Sequence, residues 1–101
     1  PMDRAAYQRL AFETLSTVMD AVEALPGDVW EAEIHGEILT LTSPEGQPFV
    51  LNLHNVTRQL WYSSPLSGAW HFTWHEDTWR NTRGPETLGQ VLAREIGITI
   101  G

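Results

Sequence analysis

The chain has no cysteine and no lysine among its 101 residues, and it has no long apolar run. Without cysteine there are no disulfides, no thiolate metal sites and no cysteine nucleophile, a composition that fits a reducing compartment. No stretch approaches the roughly 18 apolar residues that a membrane helix needs, so no membrane partner is expected. Residues 1–25 mix acids with helically spaced apolar side chains and read as neither a signal nor a transit peptide. That favours the bacterial cytoplasm as the expected location, with the mitochondrial matrix, for a mature form, as the alternative. Catalytic motifs are missing too: there is no serine elbow, no glycine-rich phosphate loop and no HExxH pattern. No catalytic residue is assigned.

What is present suits one small globular unit. Apolar residues make up 42% and five are tryptophan, enough for one packed core in a chain too short for two. A single domain over residues 1–101 is expected. Its charge is unevenly placed. Residues 1–50 hold nine acids against two arginines, and residues 51–101 hold four against four, so the whole net charge of −7 lies in the first half. Such a field repels nucleic acid and attracts cations or basic protein surfaces.

Periodicity divides the chain. Tyr7, Leu10, Ala11, Leu15, Val18, Val22 and Leu25 fall three and four apart, which predicts a helix over about 3–25 with one buried stripe. Glu13, Thr17, Asp20 and Glu23 line another face of it. Pro26-Gly27 ends it. From about 29 to 80 the period is two, as in half-buried strands. Trp30, Ala32 and Ile34 alternate with Glu31, Glu33 and His35. Leu39 and Leu41 follow, then Phe49, Leu51 and Leu53, then Leu60 and Tyr62, then Trp70, Phe72 and Trp74, with a short strand near Trp79. Leu88, Val91, Leu92 and Ile96 predict a second helix over about 86–96. The fold class expected is α+β: one antiparallel sheet of five to six strands with both helices on one face, leaving the other face to solvent or a partner.

Strand parity sends Trp61 to the face opposite Leu60 and Tyr62, away from the helices. Trp30, Trp70, Trp74 and Trp79 are expected in the core. Among the histidines, His71 and His75 share parity but stand roughly 13 Å apart at ~3.3 Å per residue, too far to chelate one ion. His35, beside Glu33 and Glu37, is a candidate extra ligand, and His54 reads as a loop residue.

Gln59-Leu60-Trp61-Tyr62-Ser63-Ser64-Pro65, with Ser67-Gly68, resembles the central motif of the frataxin family. The similarity runs in order along nearly the whole chain. Tyr7-Gln8-Arg9-Leu10-Ala11 with Glu13-Thr14-Leu15 is similar to the family's first helix, and Leu39-Thr40-Leu41 and Asn52 to its second and third strands. Phe72, Trp74, Trp79, Leu88 and Leu92 fit its last strands and second helix. The resemblance implies a two-layer α-β-α sandwich. It also implies an acidic ridge that binds iron (Fe2+ or Fe3+) weakly, with no organic cofactor. Carried over, the ridge is Glu13, Asp20, Glu23, Asp28, Glu31 and Glu33. It further implies a sheet face, here Asn52, Gln59, Trp61, Ser63 and His71, that docks on a cysteine desulfurase and an iron–sulfur scaffold protein to modulate sulfur transfer. A monomer is expected. Phe12, Ser16 and Ala24 stand where many relatives carry acids, so this ridge is thinner than usual.

Two other readings remain at this point. The ridge could serve iron storage or oxidation as a ferroxidase, with the sheet face incidental. Alternatively, exposed aromatics on a sheet could bind single-stranded nucleic acid or sugar, but the acidic balance counts against nucleic acid.

Overall fold

The computed structural model describes residues 2–101. Helix α1 spans Arg4–Glu23 and is followed by six strands: β1 Glu31–His35, β2 Ile38–Thr42, β3 Pro48–His54, β4 Gln59–Ser64, β5 Gly68–His75 and β6 Thr78–Asn81. Helix α2, Leu88–Glu95, follows β6, and Ile96 and Ile98 beyond it return to the core. The strands form one antiparallel sheet in sequence order, β1 to β6, as hairpin follows hairpin. Both helices cover the same face of it, so the α+β expectation holds. Among the described residues no helix is long and apolar enough to cross a membrane.

Each helix starts where its sequence supplies a cap. The Asp3 carboxylate accepts from the Ala6 amide at 2.8 Å, satisfying one of the free donors at the α1 start. Thr87 and Gln90 form a reciprocal capping box at α2. Helix α1 stops at Glu23, about two residues before the predicted end. Ala24 caps it, and Gly27 takes the left-handed φ of 91° that turns the chain towards β1.

The core forms where the buried faces meet. Tyr7, Ala11, Leu15, Val18 and Val22 of α1 and Leu88, Val91 and Leu92 of α2 press on the inward side chains of the sheet. Across the strands, Leu39 faces Leu51, Leu51 faces Tyr62, and Tyr62 faces Trp70. Burying a leucine or valine in such a layer stabilises by about 1.5–3 kcal/mol, so these ladders hold the register. Two buried polar anchors tie the layers together. The Tyr7 hydroxyl donates to the Gln59 carbonyl at 2.6 Å, and the Trp79 indole N–H donates to the Thr14 hydroxyl at 2.9 Å.

Of the four tryptophans expected in the core, only Trp79 is fully buried. Trp30, Trp70 and Trp74 are half-buried and pack against the core's margin. The reason is coverage. Trp30 lies just before the edge strand, against Phe49, while Trp70 and Trp74 lie near the two ends of β5. An eight-residue α2 is too short to roof over both ends.

Candidate docking face and acidic groups

Alternation in the sheet places one set of side chains on the face that no helix covers. Its central row runs His35, Ile38, Asn52, Trp61, His71 from β1 to β5. Beside it run Glu33, Thr40, Val50, Ser63 and Ala69 on one side, and His54, Gln59, Thr73 and Arg80 on the other. The five residues expected to form a contact face, Asn52, Gln59, Trp61, Ser63 and His71, are therefore neighbours on one surface. Ile38 adds an exposed apolar side chain to it.

Trp61 is not a free indole. His54 reaches it from β3 and His71 from β5, so an imidazole lies flat on each side of the ring. The centroid separations are 3.7 Å and 4.1 Å, with planes 7° and 6° from parallel. The indole N–H donates to the Gln59 side-chain carbonyl at 2.8 Å, fixing the ring's rotation. His54 is held in turn, one ring nitrogen 2.7 Å from the Thr57 hydroxyl. The face thus presents a rigid three-ring slab. His54 is the final residue of β3 rather than part of a loop as expected. Part of the signal was in the sequence, since His54 has the parity of Asn52, but its diagonal reach to Trp61 also needs the register of β3 on β4.

The six acids are all exposed, but on different surfaces. Glu13, Asp20 and Glu23 lie on the solvent side of α1, and Asp28 lies in the connection to β1. Glu31 and Glu33 point from β1 onto the same open sheet face as Trp61. His35 pairs with Glu33, whereas Glu37 is taken up elsewhere, accepting from the Asn55 amide at 2.9 Å and 3.1 Å. Among the described residues no three histidine or acidic groups come close enough to hold one ion together. These carboxylates suit a hard cation by chemistry, but as separate contacts completed by water.

Asp20 and Glu23 have a further cost. They occupy the last turn of α1, where the helix dipole places partial negative charge, and no basic residue sits there to offset it. Among the described residues the ion pairs are histidine with glutamate only, so no arginine neutralises them.

The turn after β4 is built differently. The Ser64 hydroxyl accepts from the amides of Leu66 and Ser67, and Ser67 and Tyr62 both donate to the Glu95 carboxylate of α2. Burial, with the Glu95 hydrogen bond second, pushes the Tyr62 hydroxyl well above the usual phenol range. The Ser63-Ser64-Pro65 segment is thus a structural joint, and of its residues only Ser63 belongs to the open face.

Residues 1–101 match the Frataxin-like domain. The chain belongs to the frataxin family. A bacterial frataxin relative, the iron-sulfur cluster assembly protein CyaY of Dechloromonas aromatica (strain RCB), is 26% identical over 92 residues, covering 91% of this chain and 87% of that protein. The mitochondrial frataxin homolog of Schizosaccharomyces pombe is 32% identical over 96 residues, covering 89% of this chain but only 61% of its own length. Among solved structures, the frataxin of Psychromonas ingrahamii shares the fold with a TM-score of 0.79 at 17% identity, over 98% of this chain and 96% of that one.

Proposed function

We propose that this frataxin-family chain acts in iron–sulfur cluster assembly by docking its open sheet face on the complex of cysteine desulfurase and scaffold protein, there modulating sulfur transfer. The observation that carries this reading is the slab of His54, Trp61 and His71, set among Asn52, Gln59 and Ser63 on the one sheet face without a helix. An aromatic group already held in place loses little freedom on binding, and such groups dominate interface energies. The name of the D. aromatica relative supports the process. Glu31 and Glu33 at the β1 edge of the same face steer basic partner surfaces towards it. The protein then works as a regulator rather than as a catalyst, in the compartment that houses the assembly machinery.

The test is direct binding of the chain to the desulfurase–scaffold complex. Trp61→Ala should weaken docking by about 2 kcal/mol, roughly thirtyfold, while leaving the fold intact. Unchanged affinity would remove this assignment.

One observation favours a second role. Asp20 and Glu23 stand at the unfavourable end of α1 without a cationic partner, an arrangement that a bound ferrous ion would relieve. In this reading iron is cargo, held weakly by Glu13, Asp20, Glu23, Asp28, Glu31 and Glu33, and passed on, or oxidised there with dioxygen taking up the electron. Neutralising Glu13, Asp20 and Glu23, which lie on α1 away from the docking face, separates the roles. If docking survives and iron binding is lost, both stand; if iron binding is unchanged, the ridge assignment fails.

A further inference from the structure

Beyond β6 the open face ends in a cavity of about 190 Å³ lined by Ala69, Trp70, His71, Asn81, Thr82 and Arg83. It is positioned by backbone. The Thr82 amide donates to the His71 carbonyl at 2.9 Å, extending the β5–β6 ladder by one rung. Asn81 is engaged in shaping it: its side-chain amide donates to the Glu86 carboxylate at 3.1 Å, and its side-chain carbonyl accepts from the Arg83 backbone amide at 3.1 Å. The other polar groups are unspent. Among the described residues the Arg83 guanidinium and the Thr82 hydroxyl make no hydrogen bond, and the His71 ring is engaged only by its stack on Trp61.

The charge is against the trend of the molecule. In a chain of net charge −7 this end of the face carries Arg80 and Arg83, whereas the β1 end carries Glu31 and Glu33. The two ends of the face therefore differ: β1 presents Glu31 and Glu33 without an arginine, whereas the β6 end presents Arg80 and Arg83 with one acid, Glu86, already held by Asn81, and the ring slab lies between. A planar guanidinium beside a hydroxyl and an imidazole matches a carboxylate, which accepts two parallel N–H bonds and a third from a flanking donor.

We infer that the cavity between His71 and Arg83 is a carboxylate pocket, which receives an aspartate or glutamate side chain of the protein docked on the Trp61 face. This rests on the docking reading above and deepens it. His71 joins the two, one side of its ring on Trp61 and its edge at the pocket. The pocket fixes the partner's orientation, because reversing the partner would bring its acid against Glu31 and Glu33.

The test compares the affinity of the full chain for the desulfurase–scaffold complex in five forms: wild type, Trp61→Ala, Arg83→Glu, Arg83→Lys and Arg9→Glu. Arg9 is exposed on α1, in the other layer, so Arg9→Glu repeats the change in net charge away from the pocket. Arg83→Glu should weaken docking about tenfold or more, by replacing a charged hydrogen-bonded pair with repulsion. Arg83→Lys should restore only part, keeping the charge but losing the fork. Equal losses from Arg83→Glu and Arg9→Glu would overturn the pocket, leaving only a net-charge effect. A loss with Trp61→Ala but none with Arg83→Glu overturns the pocket alone. No loss with either variant overturns the docking reading, and the pocket with it.

Discussion

The imidazole of His54 lies on the indole of Trp61 with ring centroids 3.7 Å apart and planes 7° from parallel, and His71 repeats the arrangement on the opposite side. The two histidines come from the strands on either side of β4, so the indole is clamped across three strands. Removing either imidazole should release it. His54→Ala and His71→Ala are each expected to lower stability by about 0.5–1.5 kcal/mol, the usual worth of an aromatic pair. Urea melts measure that loss. Fluorescence anisotropy decay of a variant whose only tryptophan is Trp61 should show faster indole motion in each case.

At the end of α1, Asp20 and Glu23 oppose the helix dipole without compensation. Asp20→Asn and Glu23→Gln should therefore each raise stability, by about 0.3–1 kcal/mol at low ionic strength. The gain should shrink in high salt, because these groups are exposed and screened. Thermal melts of the variants at two salt concentrations check both statements. Stabilisation accompanied by weaker iron binding would mark residues retained for function at the expense of the fold.

The β5–β6 hairpin turns on two residues, Glu76 and Asp77, and both adopt the left-handed conformation, at φ of 53° and 60°. That is the pattern of a tight hairpin turn in which asparagine and glycine are preferred. A non-glycine residue there gives up roughly 1 kcal/mol to steric strain. Asp77→Gly should raise the melting midpoint accordingly, and docking should not change. The His75–Glu76 pair at 3.1 Å is exposed and offsets little of the strain.

Tyr62 predicts the alkaline limit. Burial first, then its hydrogen bond to Glu95, raises its phenol pKa in the folded state. Tyr7 is raised too, chiefly by burial. For a raised group the contribution to stability is fully present below the unfolded value, near 10 for tyrosine, and falls as pH climbs from there towards the folded value. Urea midpoints should thus decline above about pH 10. Tyr62→Phe should cost about 1 kcal/mol at neutral pH through the lost hydrogen bond, yet show a shallower alkaline decline.

The helical stripe of α1, the strand alternation and the sharing of one face by Asn52, Gln59, Trp61, Ser63 and His71 were legible in sequence, because each depends on periodicity alone. The half-burial of Trp30, Trp70 and Trp74 was not, since periodicity says which way a side chain points but not how far a neighbouring helix reaches. His54 was missed for a related reason. Its contact with Trp61 is diagonal across two strands, so it needs the register of β3 on β4, which only the finished sheet provides. The placing of Glu31 and Glu33 on the open face follows from the same parity, but their distance from the acids of α1 does not, since it depends on how β1 is turned against α1. The pocket at Arg83 joins β5 to the segment after β6 and has no local signature.

The central claim is that the Trp61 face modulates the assembly complex, and cysteine desulfurase activity measures it most directly. Wild-type chain and Trp61→Ala should be added separately to the desulfurase–scaffold complex, with and without ferrous iron, after circular dichroism has shown equal folding. The account predicts that the wild type changes the rate of sulfide release and that the change is largely lost with Trp61→Ala. An equal rate change from both proteins would contradict it, moving the activity away from the Trp61 slab and onto the acids of α1 and β1.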